Sequence, residues 1–151
     1  MKRPACLAAI GLVVFAATGC GLLPGAGTAV CVDWVWFETP QAQFDEAKLV
    51  VIGKPIRRDG ETAIYGYAGQ AHVVEVESVL KGRPGPGPLR IVSMPPTCTG
   101  GEVYPDGDPL DTTRRVLIYA TEQNDQWFTM TPAQGVVLFD RGARLPFKPG
   151  P

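Results

Sequence analysis

The chain has 151 residues and a mass of 16.2 kDa, with 45% hydrophobic and 19% charged residues. That is one domain's worth of sequence, and too apolar for a disordered chain. Its 18 Gly and 15 Pro interrupt almost every window of about fifteen residues and exclude a bundle of long helices. A formal net charge of −1 and a pI near 5.8 give no basic footprint for nucleic acid.

The chain opens with Lys2 and Arg3, followed by an apolar stretch from Ala5 to Ala17. That stretch is shorter than the roughly 20 residues a spanning helix needs. It ends in Ala17-Thr18-Gly19-Cys20, which resembles the lipobox of bacterial lipoproteins, with Ala17 where Leu is commoner. The resemblance implies a signal peptide over residues 1–19, removed by a type II signal peptidase, and a diacylglyceryl group and further acyl (palmitate) on Cys20. Each buried methylene contributes about 0.8 kcal/mol, so two or three acyl chains hold a protein stably. Residues 20–30 then read as the lipidated Cys and a flexible tether reaching under roughly 20 Å. Loss of Lys2 and Arg3 leaves 12 basic against 15 acidic side chains, a mature charge of −3. The expected location is the extracytoplasmic face of the cell membrane.

Cys6 leaves with the signal and Cys20 goes to lipid, which leaves Cys31 and Cys98 as an even pair in an oxidising compartment. A disulfide is the default there, and on the chain-entropy estimate a loop of this size contributes about 4 kcal/mol. A reactive thiol is the alternative, but no CxxC is present.

Residues 31–140 carry the folded domain. Val32-Asp33-Trp34-Val35-Trp36-Phe37 is β-prone and aromatic. Thr39-Pro40 predicts an N-cap and first helical position, opening a helical turn to about Ala47. Leu49 to Gly53 is a continuous apolar run, as in a buried strand. Arg57-Arg58-Asp59-Gly60 predicts a turn, with a second strand from Thr62 to Tyr67. Ala71 to Leu80 alternates with a period of two, His72, Val74 and Val76 on one face and Glu75 and Glu77 on the other, and its pattern slips after Val76 as if bulged. The Gly-Pro run from Lys81 to Pro88 is a loop. Further strands are expected over Leu89–Met94, Arg115–Thr121, Gln126–Thr131 and Gly135–Phe139, with residues 141–151 a loose tail. Five to seven short strands and one or two helical turns predict an all-β fold, a small closed barrel or a sandwich.

The order Cys31, Phe44…Ala47…Val50-Val51…Gly53-Lys54, His72-x-Val74-x-Val76-x-x-Val79-x-Lys81-Gly82 and Cys98 resembles the netrin-like module. That module is the OB-type barrel of tissue inhibitors of metalloproteinases and complement C-terminal domains. The resemblance implies an OB-like closed barrel in which a later cysteine pairs back to the first. The family's metalloproteinase inhibition uses a free amine on an N-terminal cysteine, and Cys31 is internal here.

Four groups are candidates for chemistry. His72, the lone imidazole, is a general base or a pH sensor or, by the favoured reading, a packed core-edge residue. Glu75 and Glu77 are a carboxylate pair for hydrolysis or a solvated strand face. Glu102, Asp106, Asp108 and Asp111 offer calcium ligands or merely turn chemistry. Trp34, Trp36 and Phe37, close to the anchor, dip into the membrane interface or form the candidate binding patch, or else, by the favoured reading, cover the barrel's open end. The expectation is a non-enzymatic binding module without metal or cofactor, tethered to the membrane and binding an envelope protein or ligand. An envelope hydrolase using Glu75, Glu77 or His72, and a structural or assembly accessory, are the alternatives.

Overall fold

A computed structural model describes residues 30–97 and 107–150. Helix α1 (Pro40–Glu46) starts where expected: Thr39 is extended, its side chain accepts the Ala42 N–H at 3.1 Å, and Pro40 opens the first turn. Its far end faces Lys81, whose Nζ donates to the Phe44 and Asp45 carbonyls at 2.8 and 2.7 Å. A cation there complements the helix dipole.

Six strands follow: β1 (Leu49–Ile64), β2 (Tyr67–Lys81), β3 (Leu89–Val92), β4 (Val116–Gln123), β5 (Gln126–Thr129) and β6 (Val136–Leu138). The sheet runs β1-β2-β3-β5-β4, and β4 pairs back to β1 from Leu49↔Ala120 to Gly53↔Val116. Five strands therefore close into a barrel, with β3 and β5 parallel and the other pairs antiparallel. This is the connectivity of a small OB-like barrel. The fold is all-β with one short helix, as expected, although β1 and β2 are long rather than short strands.

β5 and β6 lie end to end along β4, pairing with Ala120–Gln123 and Val116–Ile118 in turn. Between them residues 131–134 leave the ladder. Tyr119 spans the gap: its carbonyl accepts the Met130 N–H at 2.8 Å and its N–H donates to the Gly135 carbonyl at 2.9 Å.

The continuous apolar run of β1 is explained by burial on both faces. Leu49 and Val51 point into the barrel with Val74, Ile91, Val116 and Ile118. Val50 and Ile52 point outward, under Phe44, Tyr119, Phe139 and Phe147. That outer layer corrects the expectation of a loose tail from residue 141. Phe147 is buried and stacks on Phe44 with centroids 4.3 Å apart, while Lys148 N–H donates to Gln41 Oε1 at 2.9 Å.

The predicted bulge is present, at Glu77: Ile52 pairs with Ser78 and Gly53 with Val76, so Glu77 has no opposite number. The predicted turn at Asp59-Gly60 is not a turn. β1 runs straight through it, with a register irregularity between Arg58 and Glu61 and Gly60 at φ 80°. The Asp59 carboxylate is held there by Arg57 and Arg90, and Gln70 Nε2 donates to the Gly60 carbonyl. The chain reverses instead at Tyr65-Gly66, both at positive φ, as a primed two-residue hairpin requires.

Candidate functional site

The segment from Val30 to Phe37 belongs to no strand, although its composition predicts one. Val32 and Phe37 hydrogen-bond to side chains rather than to a neighbouring ladder. Val32 N–H donates to Thr97 Oγ1 at 3.1 Å, and the same hydroxyl donates to the Val32 carbonyl at 3.0 Å. Five residues on, Phe37 N–H donates to Gln134 Oε1 at 2.9 Å and Gln134 Nε2 donates to the Phe37 carbonyl at 3.0 Å. Each pin satisfies one backbone donor and one acceptor, as a partner strand would.

Both pins are themselves fixed. Gln134 N–H donates to Thr131 Oγ1, and the Gln134 carbonyl accepts from Gln43 Nε2 of α1 at 2.6 Å. Thr97 follows Pro95-Pro96, which stop β3 from extending toward it. At the other end Val30 N–H donates to the Tyr65 carbonyl at 2.9 Å, and the Trp34 ring meets the Tyr65 ring edge-on at 6.1 Å.

Between the pins the segment arches over a cavity of about 320 Å³, lined by Cys31–Trp36, Thr97 and residues 131–134. Trp34 is half-buried and packs against the cluster of Ile64, Ala71, Val92, Met94 and Phe128. Its indole Nε1 is buried and has no acceptor; it is the single buried side-chain polar atom in that state among the described residues. Such an orphan donor costs about 1–3 kcal/mol. Val35 and Trp36 are 65% and 67% exposed, whereas Phe37 is partly covered. The structure thus brings Trp34 and Trp36 to one cavity and uses Phe37 as an anchor point for the arch.

The other candidates lie apart from it. His72 is 1% exposed, and its Nε2 sits 2.8 Å from Asp108 Oδ2. The other carboxylate oxygen accepts from Ser93 Oγ at 2.5 Å and from Leu110 N–H at 2.9 Å. Burial raises the Asp108 pKa, but the three hydrogen bonds outweigh it, and the carboxyl is held below its ordinary value. Both the histidine and the hydroxyl are directed at the carboxylate, so no hydroxyl–imidazole relay is formed.

Glu75 and His72 lie on opposite faces of β2 by parity. Glu77, displaced by its bulge, accepts from Arg115 Nε at 2.6 Å, which holds its pKa below the usual range. Of the acidic group, Asp108 serves His72 and Asp111 serves Arg58; Glu102 and Asp106 lie outside the described residues. No cluster of three or more His, Cys, Asp or Glu side chains suited to a metal occurs among the described residues. Cys20 and Cys98 also lie outside them.

Residues that sequence reasoning did not single out complete the site: Thr97, Thr131, Pro132 and Gln134. No protein-family model and no curated protein matches the chain.

Proposed function

We propose that this chain is a lipid-anchored module of the bacterial cell envelope, held at the extracytoplasmic face through Cys20, whose OB-type barrel of netrin-like kind binds a ligand and does no chemistry on it. The observation that carries the reading is the arch over the cavity. It presents Trp36 and Val35 to solvent, encloses an apolar space, and leaves the Trp34 indole N–H without an acceptor. A ligand that is apolar and carries an acceptor oxygen offsets that cost. Asp33 aside, the polar side chains of the lining are uncharged at neutral pH, as suits binding better than proton transfer.

The reading includes a Cys31–Cys98 disulfide. Its support is the reciprocal contact between Val32 and Thr97, which places the chain neighbours of the two cysteines side by side. Such a bridge clamps the near end of the arch. The resemblance to netrin-like modules agrees with that pairing.

The test is a photoreactive residue placed at position 36 of the full chain in living cells, with position 137 of β6 as the exposed control. A defined adduct at 36 and not at 137 is expected, its mass identifying the ligand's class. Equal or absent labelling at both positions overturns the binding reading.

A further inference from the structure

The described chain begins at Val30, so the tether from Cys20 joins the barrel beside the arch itself. Ten residues of chain lead from Cys20 to Val30, a span of at most about 33–36 Å. Whatever surface holds the Cys20 lipid therefore lies within that span of this end of the molecule. The side chains exposed here are Val30 at 53%, Tyr65 at 36%, Val35 at 65% and Trp36 at 67%. Val30 is joined to Tyr65 by a backbone hydrogen bond, and Tyr65 meets the ring of Trp34, the chain neighbour of Val35. The other large exposed apolar residues, Ile56, Val79, Val137 and Leu138, lie on β1, β2 and β6.

Both aromatic members are amphipathic. The Tyr65 hydroxyl already donates to Gln123 Oε1 at 3.1 Å, at the edge of the group. Rings with one apolar body and one polar tip are the side chains that settle at the boundary between headgroups and acyl chains.

We infer that Val30, Tyr65, Val35 and Trp36 rest in the interface of the membrane that carries the Cys20 lipid, so that the cavity under the arch opens onto lipid. This rests on the lipid-anchor reading above and names the ligand of the same site. Asp33 and Glu38, both exposed, flank the group and give no attraction to anionic headgroups. The contact is thus apolar, favours zwitterionic over anionic lipid, and persists when salt is raised. Anchor and arch act as two linked attachments, the second gaining from the high local concentration set by the first.

The experiment uses the full mature chain, purified from membranes and reconstituted into phosphatidylcholine vesicles with brominated acyl chains. The mass of the N-terminal peptide reports the state of Cys20. With lipid on Cys20, bromine is expected to quench the two tryptophans that line the cavity, Trp36 and Trp34, and to spare Trp127. Trp36→Phe is expected to lower the quenching to the Trp34 share, about half, and Trp127→Phe to retain it in full. Val35→Asp, at a site that is 65% exposed and does not burden folding, is expected to abolish it. Lipid on Cys20 without quenching overturns this inference and leaves the anchor standing. Quenching unchanged in Trp36→Phe overturns it as well, since the contact is then made elsewhere. Absence of lipid on Cys20 overturns the anchor reading and this inference together.

Discussion

His72 Nε2 lies 2.8 Å from Asp108 Oδ2, joining a fully buried strand residue to a loop 36 positions along the chain. An ionised carboxylate only accepts, so the imidazole carries its proton on Nε2. Folding favours the ionised form of Asp108, whose pKa is lowered in the native state despite its burial. The stability this contributes is fully present above the unfolded carboxylate value of about 3.9, and is lost as pH falls from there through the lower native value. Asp108→Asn is expected to destabilise the barrel by about 1–3 kcal/mol at neutral pH. It also flattens the acid limb: between neutral pH and the region below about pH 4, the variant loses less in denaturant midpoint than the wild type. Asp59 and Glu77, both paired with arginines, act in the same direction in both proteins. Parallel acid limbs in the two proteins contradict the assignment.

Phe147 closes the outer layer over α1 and β4, stacked on Phe44 and edge-on to Tyr119 at 5.9 Å. Phe147→Ala is expected to cost about 3 kcal/mol, as for a core aromatic. A loss below half a unit in a urea melt shows that the tail does not dock.

Gly82 has φ +78°, and a Cβ there meets the Lys48 carbonyl at 2.2 Å. Backbone on both sides of that contact leaves nothing flexible to yield. Gly82→Ala should therefore cost at least about 2 kcal/mol, whereas Gly85→Ala, at φ +88° with open space around it, should cost about 1 kcal/mol from its backbone alone. Equal melting temperatures for the two variants rule out the close approach.

Thr39→Ala removes the acceptor for the Ala42 N–H and is expected to cost about 1 kcal/mol. Restoration by Thr39→Ser, and not by Thr39→Val, identifies the cap as the cause in thermal melts.

Trp36→Ala is expected to change stability by less than about 0.5 kcal/mol, because the indole is 67% exposed. A large surface aromatic that folding does not need is the pattern of a contact residue. A drop of several degrees in melting temperature assigns it to the fold instead.

What was legible in the sequence was local. The Thr39-Pro40 start and the period of two through His72–Val76, with its slip at Glu77, each depend on neighbours in the chain. Asp59-Gly60 misled because a bulge glycine and a turn glycine need the same backbone freedom; only the pairing partner separates them. Tyr65 gave no signal of a turn, since a bulky side chain at φ 53° is imposed by the hairpin's register. The aromatic arch was visible at Trp34–Phe37, but its pins were not. Thr97 and Gln134 are ordinary polar residues until the fold brings them 65 and 97 positions back along the chain. The docking of Phe147 on Phe44 and the His72–Asp108 pair were hidden for the same reason.

Tyr119 receives the chain at Met130 and takes it up again at Gly135. Residues 131–134 are consequently a cassette: both ends fasten to a single point, and barrel closure through β1–β4 pairing does not register their length. Insertions there add only the slowly growing entropy of a closed surface loop. One wall of the cavity can therefore be rewritten without disturbing the scaffold, provided the new loop still offers an amide to Phe37 and a carbonyl to Gln43.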